Sequence, residues 1–368
     1  MPLDLTSDVV TLTAALCDIE SVSLSETTIC DAIEAALRPL EHLTVTRIGN
    51  TVVARTELGR GERVVLAGHI DTVPLTDPPN LPTRRLPTEQ GEVLWGRGTV
   101  DMKGGVAVQL RLAATVPEPS RDVTYVFYEG EEIESEFNGL LHVQEQRPDL
   151  IEDADFAVLL EPTGAVVEGG CKGTMRIDIT TKGAAAHSAR PWNGHNAIHD
   201  AADILGRLTA YETRTVVVDG LEYREALNAV SISGGIAGNV IPDRCTVSVN
   251  YRYAPDRSEE EAVAHMHEVF DGLTFEVTDN AGGARPGLDL PAAKAFVEAL
   301  GTEVIAKQGW TDVARFQAMG VPAVNFGPGD PNLAHHDEER CPVDQLVAAE
   351  AAMLRWLADG HATPGAGR

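Results

Sequence analysis

Short apolar runs of strand length, separated by helical patterns, constrain the fold of this chain more than any other feature. The runs are residues 63–68, 123–128 and 157–160. Residues 8–37 and 105–115 repeat apolar side chains with the spacing of helices that pack on a core. An alternation of buried strands with helices is typical of an α/β fold with a mostly parallel central sheet. We therefore predict that fold for the first part of the chain.

The pattern changes between residues 174 and 285. Apolar and polar residues alternate there in three runs, which indicates half-exposed antiparallel strands, and two helical patterns interrupt them. The strand-like runs are 175–180, 229–233 and 246–252, and the helical patterns are 197–210 and 258–270. Because 368 residues exceed one typical core, we predict two domains. A smaller α+β domain of residues 174–285 interrupts a larger one formed by residues 1–173 and 286–368.

Imidazole and carboxylate side chains follow the predicted strands. His69 and Asp71 follow the first run, and Glu161 follows the third. Glu131 and Glu132 follow the second run. Because the carboxyl ends of parallel strands meet at one edge of a sheet, we expect these side chains to converge. Nitrogen and oxygen ligands without cysteine suit a divalent metal ion that performs hydrolysis.

Two further candidates lie outside these strand ends. Asp101 belongs to a glycine-rich loop that leads into a helix, and glycine lets the backbone approach a bound ion closely. The loop could also cradle a phosphate, but the Gly-x-x-x-x-Gly-Lys-Ser/Thr pattern of phosphate loops is missing. His335 follows the apolar run 324–327, and its neighbour His336 offers a second imidazole.

Each pair also has a simpler explanation. A His-x-Asp segment such as residues 69–71 is, on its own, most often a surface pair without metal. The adjacent carboxylates of Glu131 and Glu132, with further acids nearby, are on their own most often a solvated acidic turn. If they lie in a cleft instead, their mutual repulsion requires a cation or a proton between them.

Five motifs, taken in chain order, resemble the family of dinuclear zinc amidohydrolases and peptidases. The motifs are Gly-His-Ile-Asp at 68–71, Gly-Arg-Gly-x-x-Asp-Met-Lys-Gly-Gly at 96–105, Glu-Glu at 131–132, Glu-Pro-Thr at 161–163 and Ala-His at 334–335. The resemblance extends from residue 64 to the last predicted helix. It implies a zinc-peptidase-like catalytic domain that is interrupted by a dimerisation or lid domain.

The resemblance implies that each subunit binds two zinc ions, which cobalt can replace. The five implied ligands are His69, Asp101, Glu132, Glu161 and His335. Asp101 would bridge the two ions. His69 and Glu161 would complete the coordination of one ion, and Glu132 and His335 that of the other. His335 is preferred to His336 because the family's ligand lies four residues before a glutamate, here Glu339.

The same resemblance implies the catalytic roles. Glu131 would be the general base, and Asp71 would orient His69. His187 would reach into the active site of a partner subunit and stabilise the oxyanion, and a solvent-facing histidine without a catalytic role is the alternative. The peptide bond after Asp101 would be cis.

Four residues are expected to bind substrate. They are Arg252, Asn239, Lys172 and Gly327. Arg252 matches a position that holds a substrate carboxylate through its planar guanidinium group, and a surface ion pair is the alternative. Asn239 lies in a segment that resembles one contacting substrate across a dimer. We therefore expect a homodimer.

Within this family, residues 168–174, 186–192 and 309–316 are most similar to enzymes that hydrolyse N-succinyl-LL-2,6-diaminopimelate to succinate and LL-2,6-diaminopimelate, in lysine biosynthesis. The alternative is a related deacylase or dipeptidase that acts on another small N-acyl amino acid, such as acetylornithine. An inactive dimeric binding protein on the same fold is the non-enzymatic alternative. The presence of Glu131 beside a full set of ligands speaks against that alternative.

The composition excludes several other functions. A formal net charge of −27 repels phosphate backbones and anionic lipid, so neither nucleic acid nor a membrane surface is an expected partner. No apolar stretch is long enough to cross a bilayer and no secretory signal is visible, which predicts a cytoplasmic location. The five cysteines are widely spaced without a Cys-x-x-Cys pair, which predicts buried reduced thiols.

Overall fold

The computed structural model describes residues 2–358. The chain forms two compact units. The first unit contains the residues up to Gly169, the segment Gly287–Ile305 and the residues from Arg315 onward. The second unit contains Gly170–Pro286 and Ala306–Ala314. Among the described residues, no helix combines the length and the apolar character that crossing a membrane requires.

Helices and strands alternate along most of the chain. The strands are β1 (Thr44–Ile48), β2 (Thr51–Arg55), β3 (Arg63–His69), β4 (Arg84–Thr88), β5 (Gly91–Trp95), β6 (Asp122–Tyr128), β7 (Phe156–Leu159), β8 (Val167–Gly169), β9 (Gly173–Lys182), β10 (Thr215–Val218), β11 (Leu221–Arg224), β12 (Ala226–Gly234), β13 (Arg244–Tyr253), β14 (Phe275–Ala281), β15 (Val304–Ala306), β16 (Ala323–Asn325) and β17 (Arg340–Pro342). The α-helices are α1 (Val9–Cys17), α2 (Thr27–Leu37), α3 (Lys103–Thr115), α4 (Gly139–Gln146), α5 (Ala197–Ala210), α6 (Glu259–Val269), α7 (Pro291–Leu300), α8 (Val313–Ala318) and α9 (Val343–Ala358).

The main sheet has eight strands in the order β1-β2-β6-β3-β7-β16-β8-β15. Its central strands β6, β3, β7 and β16 run parallel, which confirms the predicted α/β fold with a parallel sheet centre. Strands β1, β2 and β8 pair antiparallel on either side. Every residue of β6 and β7 is buried, because the sheet is covered on both faces, and these strands are therefore nearly continuous apolar runs.

Helix α3 packs closely on this sheet. The side-chain amide of Gln109 donates to the carbonyl of Leu66 on β3 at 2.8 Å and to that of Val126 on β6 at 3.0 Å. At Gly105, a Cβ atom would lie 2.1 Å from the carbonyl oxygen of Leu160. Only glycine therefore lets the first turn of α3 approach the end of β7 this closely.

Residues 8–37, which the apolar spacing predicts to be amphipathic helix, form two separate helices, α1 and α2, with a break between them. Between them, the Ser21 hydroxyl donates to the carbonyl of Ile70 at 2.6 Å, and the backbone N–H of Ser23 donates to the carbonyl of Thr72 at 3.1 Å. The N–H of Thr72 also donates to the carbonyl of Ser21 at 3.0 Å, so backbone groups of this segment bond to a distant part of the chain instead of within a helix. The break places this segment beside the end of β3.

The second unit is built on a four-stranded antiparallel sheet in the order β12-β13-β9-β14. Burial alternates along β9 and β13, as predicted for strands with one face in a core. The buried face packs against α5 and α6. Its core includes Met175, Ile177, Ile179, Ala201, Ile204, Val247, Val249 and Met266.

All five cysteines lie within the described residues, and each one is buried with a free thiol. The predicted burial of the thiols is confirmed. Burial raises the pKa of the Cys30 thiol to about 12 and that of the Cys171 thiol to about 11. Such thiols are neutral and pack as small apolar side chains.

Candidate metal centre

Three neighbouring strands of the main sheet end next to candidate ligands. His69 is the last residue of β3, and Asp71 follows two residues later; both side chains are almost fully buried. Glu132 lies in the loop after β6. Glu161 lies just after β7 and is 6% exposed. The sheet therefore brings these four side chains to one edge.

Asp101 lies between two imidazoles. Its Oδ1 atom is 3.1 Å from Nε2 of His69, and its Oδ2 atom is 3.3 Å from Nε2 of His335. The same nitrogen of His335 is 2.9 Å from Oε2 of Glu132. Each oxygen of Asp101 thus faces a different histidine, which is the arrangement that a bridging carboxylate requires. The peptide bond between Asp101 and Met102 is cis, as the family resemblance implies.

The charges in this cluster depend on one another. Hydrogen bonds with Asp101 and Glu132 raise the pKa of His335 to about 10. Burial opposes a charge on His69, but Asp101 and Asp71 raise its pKa well above the ordinary value. Burial also raises the pKa of Glu132, and the negative charge of Asp101 raises it further. Burial acts in the same direction on Asp101, but its bonds to His335 and His69 hold its pKa below the ordinary value.

This donor set fits a divalent cation. One ligand atom each from His69, Asp101 and Glu132 lie within 4.8 Å of one another. The raised pKa values of His69 and His335 favour protons that balance the charges of Asp101 and Glu132, and a cation at the same place would balance them with its own charge. Imidazole nitrogen and carboxylate oxygen are ligands that zinc accepts.

Asp71 connects three parts of the site. Its Oδ1 atom is 3.3 Å from Nδ1 of His69. Its carboxylate also accepts hydrogen bonds from the backbone N–H groups of Glu131 at 3.1 Å and Glu132 at 3.2 Å. The hydroxyl of Ser23 donates to Oδ2 of Asp71 at 2.8 Å. The carboxylate of Asp71 therefore contacts both the His69 ring and the backbone of the loop after β6, and the Asp71 carbonyl also lies 3.2 Å from Nδ1 of His69.

Glu131 and Glu161 occupy different surroundings. Glu131 is only half-buried, and its negative charge contributes to the raised pKa of His69. Glu161 is buried just after β7. Among the described residues, it does not belong to the group whose ligand atoms all lie within 4.8 Å of one another, which consists of His69, Asp101 and Glu132.

Gly327, a candidate substrate contact, is buried beside the end of β7. A Cβ atom at this position would lie 2.4 Å from the carbonyl oxygen of Leu160 and 2.6 Å from that of Glu161. The backbone N–H of Gly327 donates to the hydroxyl of Thr163 at 3.1 Å. A side chain at residue 327 would therefore push the Glu161 backbone out of place.

The other candidates belong to the second unit. His187 and Asn239 are both exposed and lie on neighbouring loops, because the N–H of Ser188 donates to the carbonyl of Asn239 at 3.0 Å. The Nδ1 atom of His187 accepts a hydrogen bond from the N–H of Ala189 at 3.1 Å. That bond leaves Nε2 as the ring nitrogen able to donate to a ligand.

Two cations of the second unit lie close together in a protein of strong negative charge. Lys172 is buried, and its ammonium group donates to the carbonyl of Arg224 at 2.7 Å. Burial lowers the pKa of Lys172, and the neighbouring charge of Arg252 lowers it further. Nε of Arg252 donates to the side-chain oxygen of Asn250 at 2.9 Å. A site with two such cations favours an anionic ligand.

Sequence reasoning missed Ser23 and Arg97. The contact of Ser23 with Asp71 depends on the break between α1 and α2, and the helical pattern conceals that break. Arg97 lies in the glycine-rich loop before Asp101 and forms a buried ion pair with Glu339 at 2.8 Å. Its signal was its position inside the motif that contains Asp101.

Comparisons with known proteins find relatives over almost the whole chain. The sequence profile of peptidase family M20/M25/M40 matches residues 65–359. A Mycobacterium tuberculosis protein provisionally named succinyl-diaminopimelate desuccinylase DapE is 53% identical over 96% of this chain and 99% of its own length. The succinyl-diaminopimelate desuccinylase of Corynebacterium glutamicum is 46% identical over 97% of this chain and 98% of its own length.

Solved structures show the same fold at lower identity. A tripeptidase from Staphylococcus aureus covers 97% of this chain and 98% of its own, with a TM-score of 0.77 at 22% identity. A Bacillus subtilis protein described as a dinuclear metal-binding peptidase covers 95% of this chain and 96% of its own, with a TM-score of 0.68 at 17% identity.

Proposed function

Because this chain belongs to peptidase family M20/M25/M40 and is a hydrolase, we propose that it hydrolyses the amide bond of N-succinyl-LL-2,6-diaminopimelate to succinate and LL-2,6-diaminopimelate. The observation that carries the proposal is the position of Asp101 between two imidazoles. In addition, the chain shares about half of its residues with two proteins that carry the name succinyl-diaminopimelate desuccinylase. The reaction would serve lysine and diaminopimelate biosynthesis.

We propose that two zinc ions, which cobalt can replace, bind each subunit. The proposed ligands are His69, Asp101, Glu132, Glu161 and His335. Such ions lower the pKa of a water molecule and polarise the carbonyl group of the scissile amide. Asp71 holds His69 in one orientation through Nδ1, so that Nε2 faces the site.

Glu131 is the proposed general base. It follows β6 beside Glu132, and its backbone is fixed by Asp71 while its side chain remains half exposed. A carboxylate that is held in place but is not a ligand can take a proton from water and deliver it to the leaving amine. No covalent bond between enzyme and substrate is needed for this route.

The second unit supplies four of the five proposed substrate and oxyanion contacts. Lys172 and Arg252 would hold carboxylates of the substrate, and Asn239 would contact it across a dimer. His187 would donate a hydrogen bond from Nε2 to the oxyanion in the active site of the partner subunit. Gly327, which belongs to the first unit, is the remaining proposed substrate contact.

A homodimer is supported by one exposed apolar face of the second unit. Val230 and Ile232 of the edge strand β12 are more than half exposed, and Ile198 of α5 lies against the same strand at Gly234. An edge strand with exposed apolar side chains is a pairing surface. A second copy of this chain would cover it by pairing the same face with itself.

We also propose that the enzyme works in the cytoplasm. The support is the set of five free, buried cysteines, which suits a reducing compartment.

Rates on a substrate panel test the proposal. Purified protein loaded with zinc is assayed with N-succinyl-LL-2,6-diaminopimelate and with N-acetylornithine. We expect kcat/KM for the succinyl substrate to exceed that for the acetyl substrate by at least about 100-fold, since a polar subsite that pairs with the second carboxylate of succinate discriminates strongly against a group lacking it. A preference for N-acetylornithine or for dipeptides would instead support the related deacylase or dipeptidase.

A further inference from the structure

We propose that Glu339 is a positioning residue that sets the distance between two metal ligands, Asp101 and His335, by joining the chain segments that carry them. This inference rests on the metal-dependent function proposed above. It concerns the carboxylate of Glu339 itself, which does not contact the proposed ions or the substrate.

The carboxylate of Glu339 is fully buried and bonded to the loop before α3. Its Oε1 atom accepts hydrogen bonds from the backbone N–H groups of Val100 at 2.9 Å and Asp101 at 3.2 Å. This loop belongs to neither a strand nor a helix. The N–H groups of Val100 and Asp101, at the end of the loop that contains the proposed ligand, therefore depend on one side chain for their position.

The backbone of Glu339 is bonded to the same loop. The N–H of Gly96 donates to the carbonyl of Glu339 at 3.0 Å, and β17, which begins at the next residue, pairs with β5. The segment is thus joined to the loop at both ends, by its backbone near Gly96 and by its side chain near Asp101.

His335 lies four residues before Glu339 in a compact series of turns. The N–H of His336 donates to the carbonyl of Leu333 at 3.2 Å, and the N–H of Glu339 donates to the carbonyl of His336 at 3.1 Å. His335 has a φ of +62°, in the left-handed region that few residues other than glycine and asparagine adopt. A displacement of Glu339 would therefore move His335.

Arg97 makes a buried carboxylate possible at this position. Its Nη1 atom is 2.8 Å from Oε2 of Glu339, and the arginine is 3% exposed. Without this cation, a further negative charge beside Asp101 would add to the repulsion within the cluster. Arg97 also donates to the carbonyl of His336 at 3.4 Å, so the ion pair touches both segments.

The experiment separates the acceptor atom from the charge. In the double variant R97M/E339M, both charges are removed, which lets the protein fold without an unpaired buried charge, but the two N–H groups lose their acceptor. In R97M/E339Q, the amide oxygen restores an acceptor without restoring the charge. Zinc affinity of the two purified proteins, stripped of metal, is measured by competition with a chromogenic chelator.

The matched control is Glu350→Gln, which removes a charge from the partly buried Arg111–Glu350 pair between α3 and α9. We expect R97M/E339M to bind zinc about 10–100-fold more weakly than wild type, R97M/E339Q to recover much of that loss, and Glu350→Gln to bind as wild type does. Thermal unfolding of all variants is recorded alongside.

Two results would overturn the inference: equal zinc affinity of R97M/E339M and R97M/E339Q, whether at or below the wild-type value, or an equal loss in the control. The assay uses no substrate. Zinc binding without hydrolysis of the succinyl substrate would therefore refute only the proposed reaction, whereas a wild-type protein that binds no divalent metal would refute both proposals.

Discussion

At the scale of single residues, the site depends on side chains that contact a proposed metal ligand and also accept hydrogen bonds from the backbone. Asp71 contacts the ring of His69 and also accepts two backbone N–H groups of the loop that contains Glu131. The side chain of Asp71 is fully buried, whereas that of Glu131 is half-buried. This difference suits one acid for orientation and the other for proton transfer.

Replacing Glu131 by glutamine tests the proton-transfer role. The amide keeps the shape of the side chain but cannot accept a proton, so we expect kcat to fall by about 10²–10⁴-fold while zinc content stays at the wild-type value. Steady-state kinetics and metal analysis of the same preparation provide the measurement. Glu134→Gln, at an exposed acid in the same segment, is the control and should retain full activity. Wild-type turnover in Glu131→Gln would remove this residue as the base.

Much of the ligand set could be nominated from the sequence, because strand ends in a parallel sheet converge wherever they lie in the chain. The proposed ligands form a chain of contacts, from His69 to Asp101, from Asp101 to His335 and from His335 to Glu132. Ser23 could not be found in this way, since its bond to Asp71 connects residues 48 positions apart and leaves no local pattern.

At the scale of elements, strands were easier to predict than breaks between helices. Continuous apolar runs identify β3, β6 and β7, because such runs are what burial on both faces selects. Residues 8–37 also repeat apolar side chains with helical spacing, but tertiary bonds to Ile70 and Thr72 interrupt the helix. The three-stranded sheet of β4, β5 and β17 depends likewise on pairing between distant segments, such as Arg340 with Trp95.

Asp122, the first residue of β6, accepts hydrogen bonds from the loop between β2 and β3. Because its carboxylate makes these bonds in the charged form, we predict that the stability of the fold depends on pH. Burial alone would raise the pKa of Asp122, but bonds from the N–H groups of Leu58 and Arg60 and from the Thr56 hydroxyl hold it below 3.8. A folded-state pKa below the unfolded value adds stability above the unfolded pKa, and that stability is lost as pH falls through the folded pKa.

We therefore expect Asp122→Asn to lower the free energy of unfolding by about 1–3 kcal/mol at pH 7. The difference from wild type should shrink steadily below pH 3.8, the ordinary value of the carboxyl pKa. Urea unfolding across this pH range measures it, with the exposed Asp289→Asn as control. A difference that stays constant as the pH is lowered would contradict the charge-based explanation.

The exposed apolar side chains of β12 lead to a prediction about how an introduced negative charge affects the proposed homodimer. Ile232 is 52% exposed on this edge strand, so Ile232→Asp would place a carboxylate in the proposed contact between two copies. We expect the molar mass measured by light scattering to fall from that of a dimer to that of a monomer. Val217→Asp, at another exposed apolar residue of the second unit, should leave the dimer intact. A wild-type protein that is already monomeric would refute the proposed dimer.

At the scale of the whole molecule, a net charge of −27 favours cations over the anionic substrate. The buried carboxylates beside His69 and His335 intensify this preference within the first unit. Lys172 and Arg252 oppose it within the second. The local charge of the first unit thus suits metal cations, and that of the second unit suits the anionic substrate of the proposed reaction.

Metal removal should therefore destabilise the protein. Zinc that binds only the folded state adds about 2.7 kcal/mol to the free energy of unfolding when its free concentration is about 100 times the dissociation constant. We expect the unfolding temperature of stripped protein to rise when zinc is added, and calorimetry measures the rise. Asp101→Ala, which lacks the proposed bridging ligand, should show little change. An equal rise in both proteins would place the stabilising ion elsewhere.

The five enclosed thiols have a practical consequence. A maleimide dye cannot reach them in the folded protein, and their raised pKa values keep them in the unreactive protonated form. One cysteine introduced at the surface would consequently be the sole attachment point for a fluorescent label, with no need to remove the native ones. In the proposed homodimer, one such cysteine in each subunit would give a spectroscopic distance between the two subunits of the working enzyme.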